Sequence, residues 1–476
     1  MQLNGWDHAL TVTADGNGLV GHAGGILLRK LADRCGLTAA LGAALRRAGK
    51  FPQAGRGVAL VSMAVAIALG ATSMAGIALL AHQALVFGQP PSDTTIRRTL
   101  ELADGKTLRK AAKARAKIRA HMRKLIAATA AGFPWLTIAG KTLTDWLVID
   151  MDATLITAHS EKEGAAPTFK KGFGFHPLGS WLVNAGESLA MLLRPGNAGS
   201  STAADHLEVL GAALAQVPAG WQSKLLVRAD GAGAAQELVK HLLWLNTRRR
   251  TVLFTCGSMI TGAGEAAIAM LPAGAWQAAA DQDGTVQKKT AAAEITDLMS
   301  RADGWPGGLR WIVRRARPSR RQMKNLTAFE KKTSRRYSII VTNIPVAGMR
   351  NVPGTGHPQF ADVLHRQHAV VQDRVRTQKA MGLKNLPSKT WQVSKGWVLA
   401  ANIAADPDPW CRHLGLYDRE DLKDAGPDTL RYRLRHLPAR LVRHARKRVL
   451  KISGTWPWKE AFTTCWQRLC ALPAPA

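Results

Sequence analysis

Acid is scarce in this chain beside its basic residues. Its 476 residues hold 33 Asp and Glu against 65 Lys and Arg, a formal net charge of +32. Such an excess repels itself unless a polyanion neutralises it, and nucleic acid is the polyanion it points to. Cysteine is scarce too. Cys35, Cys256, Cys411, Cys465 and Cys470 are scattered and none forms CxxC. That excludes a disulfide framework, a zinc ribbon and a thioredoxin-like site, and fits a reducing cytoplasm. The first ten residues have no basic stretch leading into an apolar one, so no signal peptide is expected. Internal repeats and low-complexity tracts are missing as well. Hydrophobic residues nonetheless make up 46% of the chain, enough for a folded protein of about three domains.

One stretch lacks charge altogether, Val58 to Gly88. It meets the length rule for a membrane span. Ala, Gly, Ser and Met dominate it, however, and Gly70, Ser73 and Gly76 punctuate it. Two buried helices in a helical domain are the better reading, with no membrane partner. Pro91-Ser92-Asp93 offers a cap for the next helix. Lys106 to Lys124 then carries nine Lys and Arg and no acid, and reads as a phosphate-contacting helix.

From Trp146 the pattern changes to short apolar runs. Trp146–Ile149 is a strand ending in acids, and Trp181–Val183 and Leu189–Leu193 flank the hairpin-like Asn184–Glu187. Ala203–Ala215 is a helix, Leu225–Val227 a strand ending near Asp230, Ala234–Leu245 a helix and Thr251–Phe254 a strand. Three adjacent strands, then helix, strand, helix, strand, is the order of the ribonuclease-H-like fold. The chain is thus expected to be multidomain α/β. A helical DNA-binding region (1–140) leads into a ribonuclease-H-like core (141–257). A strand-rich insert (258–357), the rest of the core (358–400) and a basic helical C-terminal region (401–476) follow.

From Arg310 to Arg336 the insert holds eleven Lys and Arg, Arg314, Arg315, Arg320 and Arg321 among them, and one acid, Glu330. It reads as a DNA clamp; most of the tryptophans read as core, with one or two of Trp276, Trp305 and Trp311 as candidates to stack on an extruded base. A long helix is expected from Pro358 through Ala380. In the tail, Arg443, Arg446 and Lys447 belong to a run of cations interleaved with leucines, expected as a basic amphipathic helix pair broken at Pro438.

The chemistry sits at strand ends. Asp150 and Asp152, two apart on a strand, face one side, and Asp230 ends a second strand. Such carboxylates make a hard oxygen site suited to magnesium, and two such metals serve phosphodiester displacement. On the later helix, His365, His368, Gln372 and Lys379 fall within an arc of roughly 60° at about 100° per residue, a polar face that suits a phosphate and a metal. His176 and Arg194 are further candidates for phosphate or DNA contact.

These segments, with Ile149-Asp150-Met151-Asp152-Ala153-Thr154, Gly174-Phe175-His176-Pro177-Leu178, Leu193-Arg194-Pro195-Gly196-Asn197, Val227-Arg228-Ala229-Asp230 and Thr455-Trp456-Pro457-Trp458, occur in order through the chain. It resembles the bacterial DDE insertion-sequence transposases of the thirteen-eighty family. The resemblance implies cut-and-paste strand cleavage and transfer on double-stranded DNA, at terminal inverted repeats and at a target. It also implies two Mg2+ or Mn2+ ions per active site, held by two Asp and one Glu, a homodimer on DNA and a place at the bacterial nucleoid.

Within that resemblance Asp152 matches the first Asp, with Asp150 as runner-up or partner, and Asp230 matches the second. On the helix, His365 and His368 stand where relatives carry Tyr and Arg, Gln372 where they carry Glu, and Lys379 where they carry Lys. Gln keeps one oxygen and loses the charge, so the chain is expected to bind DNA and cleave little. A replacement made to trap a DNA complex and decay of this copy both explain Gln372, and the presence of the other motifs favours the first. A non-catalytic DNA-binding derivative of a transposase is the competing reading.

Overall fold

The computed structural model describes residues 10–47, 54–199, 202–230, 236–299 and 304–475. The uncharged stretch forms one long helix, α1 (Arg56–Ala68), with Ala59 to Ala68 all buried, followed by three short helical turns. A helix apolar all round belongs inside a core. No helix among the described residues is long and apolar enough to cross a membrane. As expected, Ser92 caps its helix, accepting the Thr95 N–H at 3.2 Å.

The basic run is α2 (Gly105–Ala127), and its cations divide by face. Lys106, Arg109, Lys110, Lys113, Lys117 and Lys124 are exposed, whereas Arg115, Arg119 and Arg123, four apart, are buried. Buried guanidinium groups persist only where they are paired. Arg115 and Arg119 share Asp406, Arg123 pairs with Glu187, and Ser188 and Gln216 accept further bonds. A third of the expected phosphate-contacting cations is therefore internal. The five cysteines are free.

The core follows. Strands β1 (Leu147–Ala153), β2 (Leu178–Leu182) and β3 (Glu187–Leu192) form an antiparallel meander. Helix α3 (Ala203–Leu214), strand β4 (Lys224–Ala229), helix α4 (Gln236–Leu245) and strand β5 (Thr251–Ser258) come next. β1, β4 and β5 run parallel, giving the order β3-β2-β1-β4-β5. Their near-continuous apolar runs, such as Leu225-Leu226-Val227, suit parallel strands covered on both faces.

Strands β6 (Gln277–Ala280), β7 (Val286–Glu294), β8 (Arg310–Ala316) and β9 (Arg336–Thr342) make the insert strand-rich. They do not stand apart as a separate unit. β9 pairs antiparallel with β5, and β8, β7 and β6 follow, so insert and core share one nine-stranded sheet. Trp311 is buried against Trp305, and Arg315 lies 4.2 Å over the Trp276 ring. Trp311 is thereby removed from the expected base stacking, while Trp276 and Trp305 are half-buried.

The expected helical run through Ala380 is present but not uniform. Helix α5 (Pro358–Arg366) passes through a tighter turn, Gln367–Val370, into α6 (Val371–Gln378), and the chain kinks at Gly382, φ 97°. Helices α7 (Trp391–Ala405) and α8 (Pro407–Gly415) then pack back on α1 and α2. The basic tail is not a helix pair. Only Pro427–Arg435 is helical, after which β10 (Ala439–His444) and β11 (Lys447–Ile452) form a hairpin, joined by Leu19–Val20 as a third strand. Pro438 ends the helical stretch, and one face of the hairpin, Ala439, Leu441, Leu450 and Ile452, packs on the core. Helix α9 (Lys459–Ala471) closes the described chain.

Candidate active site

Asp150 and Asp152 share a face of β1, since alternate residues of a strand point the same way. The parallel register sets Asp150 beside Arg228 of β4. Arg228 grips the carboxylate with two bonds of 2.7 and 2.8 Å, and both side chains are buried. The same guanidinium donates to the Leu364 carbonyl at 2.9 Å and to Gln367 Oε1 at 3.1 Å. Asp150 is thus spent fastening β1 to β4 and α5, which removes it as a catalytic or metal-holding candidate and makes it a positioning residue. Sequence reading passed over Arg228, although it lies two residues before Asp230, on the same face.

Two residues beyond that pair, Asp152 and Asp230 take the next positions on neighbouring strands. Burial pushes the Asp152 carboxyl up to about 7, helped by the negative charges of Asp230 and Asp150, against the Ala153 N–H (2.9 Å) and Lys170. A carboxyl reluctant to ionise beside a second carboxylate could serve as a seat for a cation.

Cations ring this seat. Lys170 projects from the turn Thr168–Gly172, its ammonium 5.6 Å from the Phe169 ring centre. The Lys379 ammonium is pushed down by burial and by Lys170, while Asp152 acts the other way. His176 is buried, with Nδ1 3.1 Å from the Ala198 carbonyl. Burial lowers its pKa, and Asp230 acts against that.

The later helix departs from the expected polar face because the tight turn rotates its first residues inward. His365 is half-buried, with Nδ1 3.2 Å from Thr255 Oγ1, and burial with His368 and Arg228 pushes it down to about 3, so it stays neutral. His368 is buried, with Nε2 3.1 Å from the Met151 carbonyl. Both histidines serve packing rather than the DNA contact expected of them. Gln372 is exposed, and lies between His368, tied to the residue before Asp152, and Lys379, which senses Asp152. Asp373 is turned to solvent, paired with Arg376 at 3.1 Å.

Arg194 is also corrected. It is buried and donates to the His176 carbonyl (2.9 Å), the Gly199 carbonyl (3.1 Å) and Asp205 (2.9 Å), clamping a loop rather than facing DNA. Arg314 is half-buried, 3.6 Å from Asp362 of α5, and Arg315 is stacked on Trp276. Arg320, Arg321, Arg443, Arg446 and Lys447 are exposed.

The sheet gathers Arg314 with cations that sequence reading did not single out. A cross-strand row runs Asp150, Arg228, Thr255, Thr342, Arg310. Counting by twos along the strands from that row, Arg314, Arg336 and Lys288 fall on the carboxylate face, beyond the end of β5 where Asp152 and Asp230 lie. With Lys289 and Arg317 they line a cleft of 650 Å³ that no acid lines. At usual strand spacings Arg314 is roughly 15 Å from Asp230, a separation one duplex can bridge.

Two adjacent carboxylates fit a hard divalent cation. Among the described residues no group of three His, Cys, Asp or Glu is gathered closely enough to hold a metal ion.

The sheet thus carries neighbouring aspartates at its parallel strand ends and a cationic cleft farther along the same face. The chain belongs to the family Transposase DDE domain group 1, which its residues 4–474 match. Among solved structures it is similar to a piggyBac transposase in a synaptic complex with hairpin DNA, seen by cryo-electron microscopy. The identity is 10% and the TM-score 0.40, over 86% of this chain and 78% of that one. No curated protein matches the sequence.

Proposed function

We propose that the protein is a DNA transposase of the insertion-sequence type, close to the thirteen-eighty family. It binds the terminal inverted repeats of its element and cuts and joins DNA strands at a ribonuclease-H-like core. The observation that carries this is the meeting of Asp152 and Asp230 at the ends of the paired strands β1 and β4, where burial, with the charge of Asp230, raises the Asp152 carboxyl to about 7. The strand order β3-β2-β1-β4-β5 is that of a ribonuclease-H-like fold, and it supports the same reading.

Asp152 and Asp230 would hold divalent metal, Mg2+ or Mn2+, with residue 372 as the third side chain. When bound, two such ions supply activation of a water or a 3′-hydroxyl and neutralisation of the leaving oxygen. The chain's own part is positional and electrostatic. Arg228 fixes Asp150 and so the end of β1, Lys170 and Lys379 offset phosphate charge, and the insert cleft takes phosphates farther along the duplex. Gln372 accepts through one oxygen and brings no charge, so the second metal is held weakly and the chain binds DNA without cutting it. Two DNA ends require two active sites, hence a homodimer on DNA.

The test is cleavage of element-end DNA in Mg2+ or Mn2+ by this chain and by Gln372→Glu. Cleavage only by Gln372→Glu is the expected result. Equal cleavage by both would mean that another acid completes the site. Silence in both would favour the second reading, a DNA-binding derivative without catalysis, which Gln372 itself recommends.

A further inference from the structure

The hairpin β10–β11 sets like charges opposite one another. Its register pairs Arg440 with Lys451, Arg443 with Arg448 and His444 with Lys447. No Asp or Glu stands between Asp428 and Glu460. Like charges directly across an antiparallel pair destabilise it. Relief inside the chain reaches only part of the set: Arg440 donates to the Asn17 carbonyl at 3.2 Å and Arg448 to that of Leu85. Arg443, Arg446 and Lys447, around the tip, are exposed.

The hairpin is nevertheless held firmly at its root. Ala439, Leu441, Leu450 and Ile452 pack on the core from one face, and Leu19–Val20 extends the sheet on the β10 side. A rigid two-stranded ribbon whose projecting end is cationic on both faces needs an outside anion to offset its own repulsion. We propose that β10–β11 is a nucleic-acid ribbon that enters a groove of duplex DNA, with Arg443, Arg446, Lys447 and Arg448 against the flanking phosphates. A major groove about 12 Å wide admits such a ribbon. The face turned from the core offers Val442 and Val449 between charged pairs and no aromatic side chain, a poor surface for insertion into a bilayer. The proposal rests on the reading of the chain as a DNA-binding transposase and names the element that grips the duplex.

The experiment compares the full chain with the triple variant Arg443→Thr, Arg446→Thr, Lys447→Thr on a linear duplex of arbitrary sequence over a range of salt. We expect the variant to melt no lower than the parent and to bind at least about tenfold more weakly. Its logarithmic salt dependence should be shallower by about three, since each lost phosphate contact removes about 0.9 from that slope. If the triple variant melts lower, Arg443→Gln alone serves, and the slope should fall by about one. Unchanged affinity and slope, with the parent binding DNA, would overturn the ribbon and leave the transposase reading standing. A parent that binds no duplex at all would overturn both. Loss of binding to phosphatidylserine vesicles with DNA binding intact would replace the ribbon with a membrane contact.

Discussion

Helix α2 and the hairpin β10–β11 look alike as strings of letters and end in opposite circumstances. Each is dense in Lys and Arg, free of acid and threaded with apolar residues. In α2 the arginines at 115, 119 and 123 form one helical stripe, and that stripe meets Asp406 and Glu187 inside the protein. In the hairpin the cations face each other, and the nearest acids in sequence, Asp428 and Glu460, lie outside it. A basic run is therefore an interface or a fastening according to what lies opposite it, and local sequence does not record that. The carboxylates repeat the contrast. Burial would raise Glu187, but Arg123, Arg119 and the Trp410 indole N–H hold it below its ordinary value. Asp152 is pushed up to about 7.

The largest effect should come from the fastening. Arg119→Ala leaves Asp406 short of a partner in the interior and should cost about 3–5 kcal/mol in urea unfolding. Lys113→Ala on the exposed side of α2 should stay within about 0.5 kcal/mol. Equal losses would erase the distinction between the two faces.

Next comes Asp152. A carboxyl whose folded pKa is raised binds more protons in the folded state than in the unfolded one between its ordinary value of 3.8 and about 7. Stability is therefore lost as pH rises through that window. Asp152→Asn should stabilise the protein by up to about 3 kcal/mol at pH 8. The gain should vanish near pH 4, as thermal melts at the two pH values will report. Glu187→Gln should do the reverse, destabilising at neutral pH and doing so less as acid protonates the native carboxylate. A stabilising Glu187→Gln would contradict the arginine pairing described for it.

The smallest effect sharpens the hairpin side. Ala445 at the tip has φ 52°, a conformation that costs a side-chain-bearing residue about 1–2 kcal/mol. Ala445→Gly should raise stability by about 1 kcal/mol while leaving the DNA salt dependence unchanged. A shift in that dependence would mean that the tip's shape, and not only its charge, takes part in binding.

Much of this was legible in the sequence because it is local. Leu147–Ile149, Leu225–Val227 and Val252–Phe254 announce strands covered on both faces, and Asp152 and Asp230 stand where those strands end. The third position proposed for Gln372 rests on spacing read through the family resemblance. What escaped depends on distant partners. Arg228 declares itself only when β4 is laid beside β1, and Arg115 only when Asp406 arrives. The cleft of Lys288, Arg314 and Arg336 exists because three strands align. The tail misled for another reason. Leu441-Val442-Arg443-His444 satisfies helical and strand periods equally, and the turn His444-Ala445-Arg446 lacks the glycine that usually marks a hairpin.

The Arg115–Asp406 bond joins residues 291 positions apart in sequence. During synthesis α2 leaves the ribosome early and the core strands follow, yet the acid that quenches Arg115 and Arg119 emerges only after the insert and α7. Until then the arginine stripe lacks Asp406, and a nascent chain already carrying Asp152 and Asp230 has its helical scaffold unlatched. Strand Leu19–Val20 waits longer still, for β10. Maturation of this protein is thus timed by its C-terminal part: ribosomes that stall before residue 406 should release chains that proteases clear.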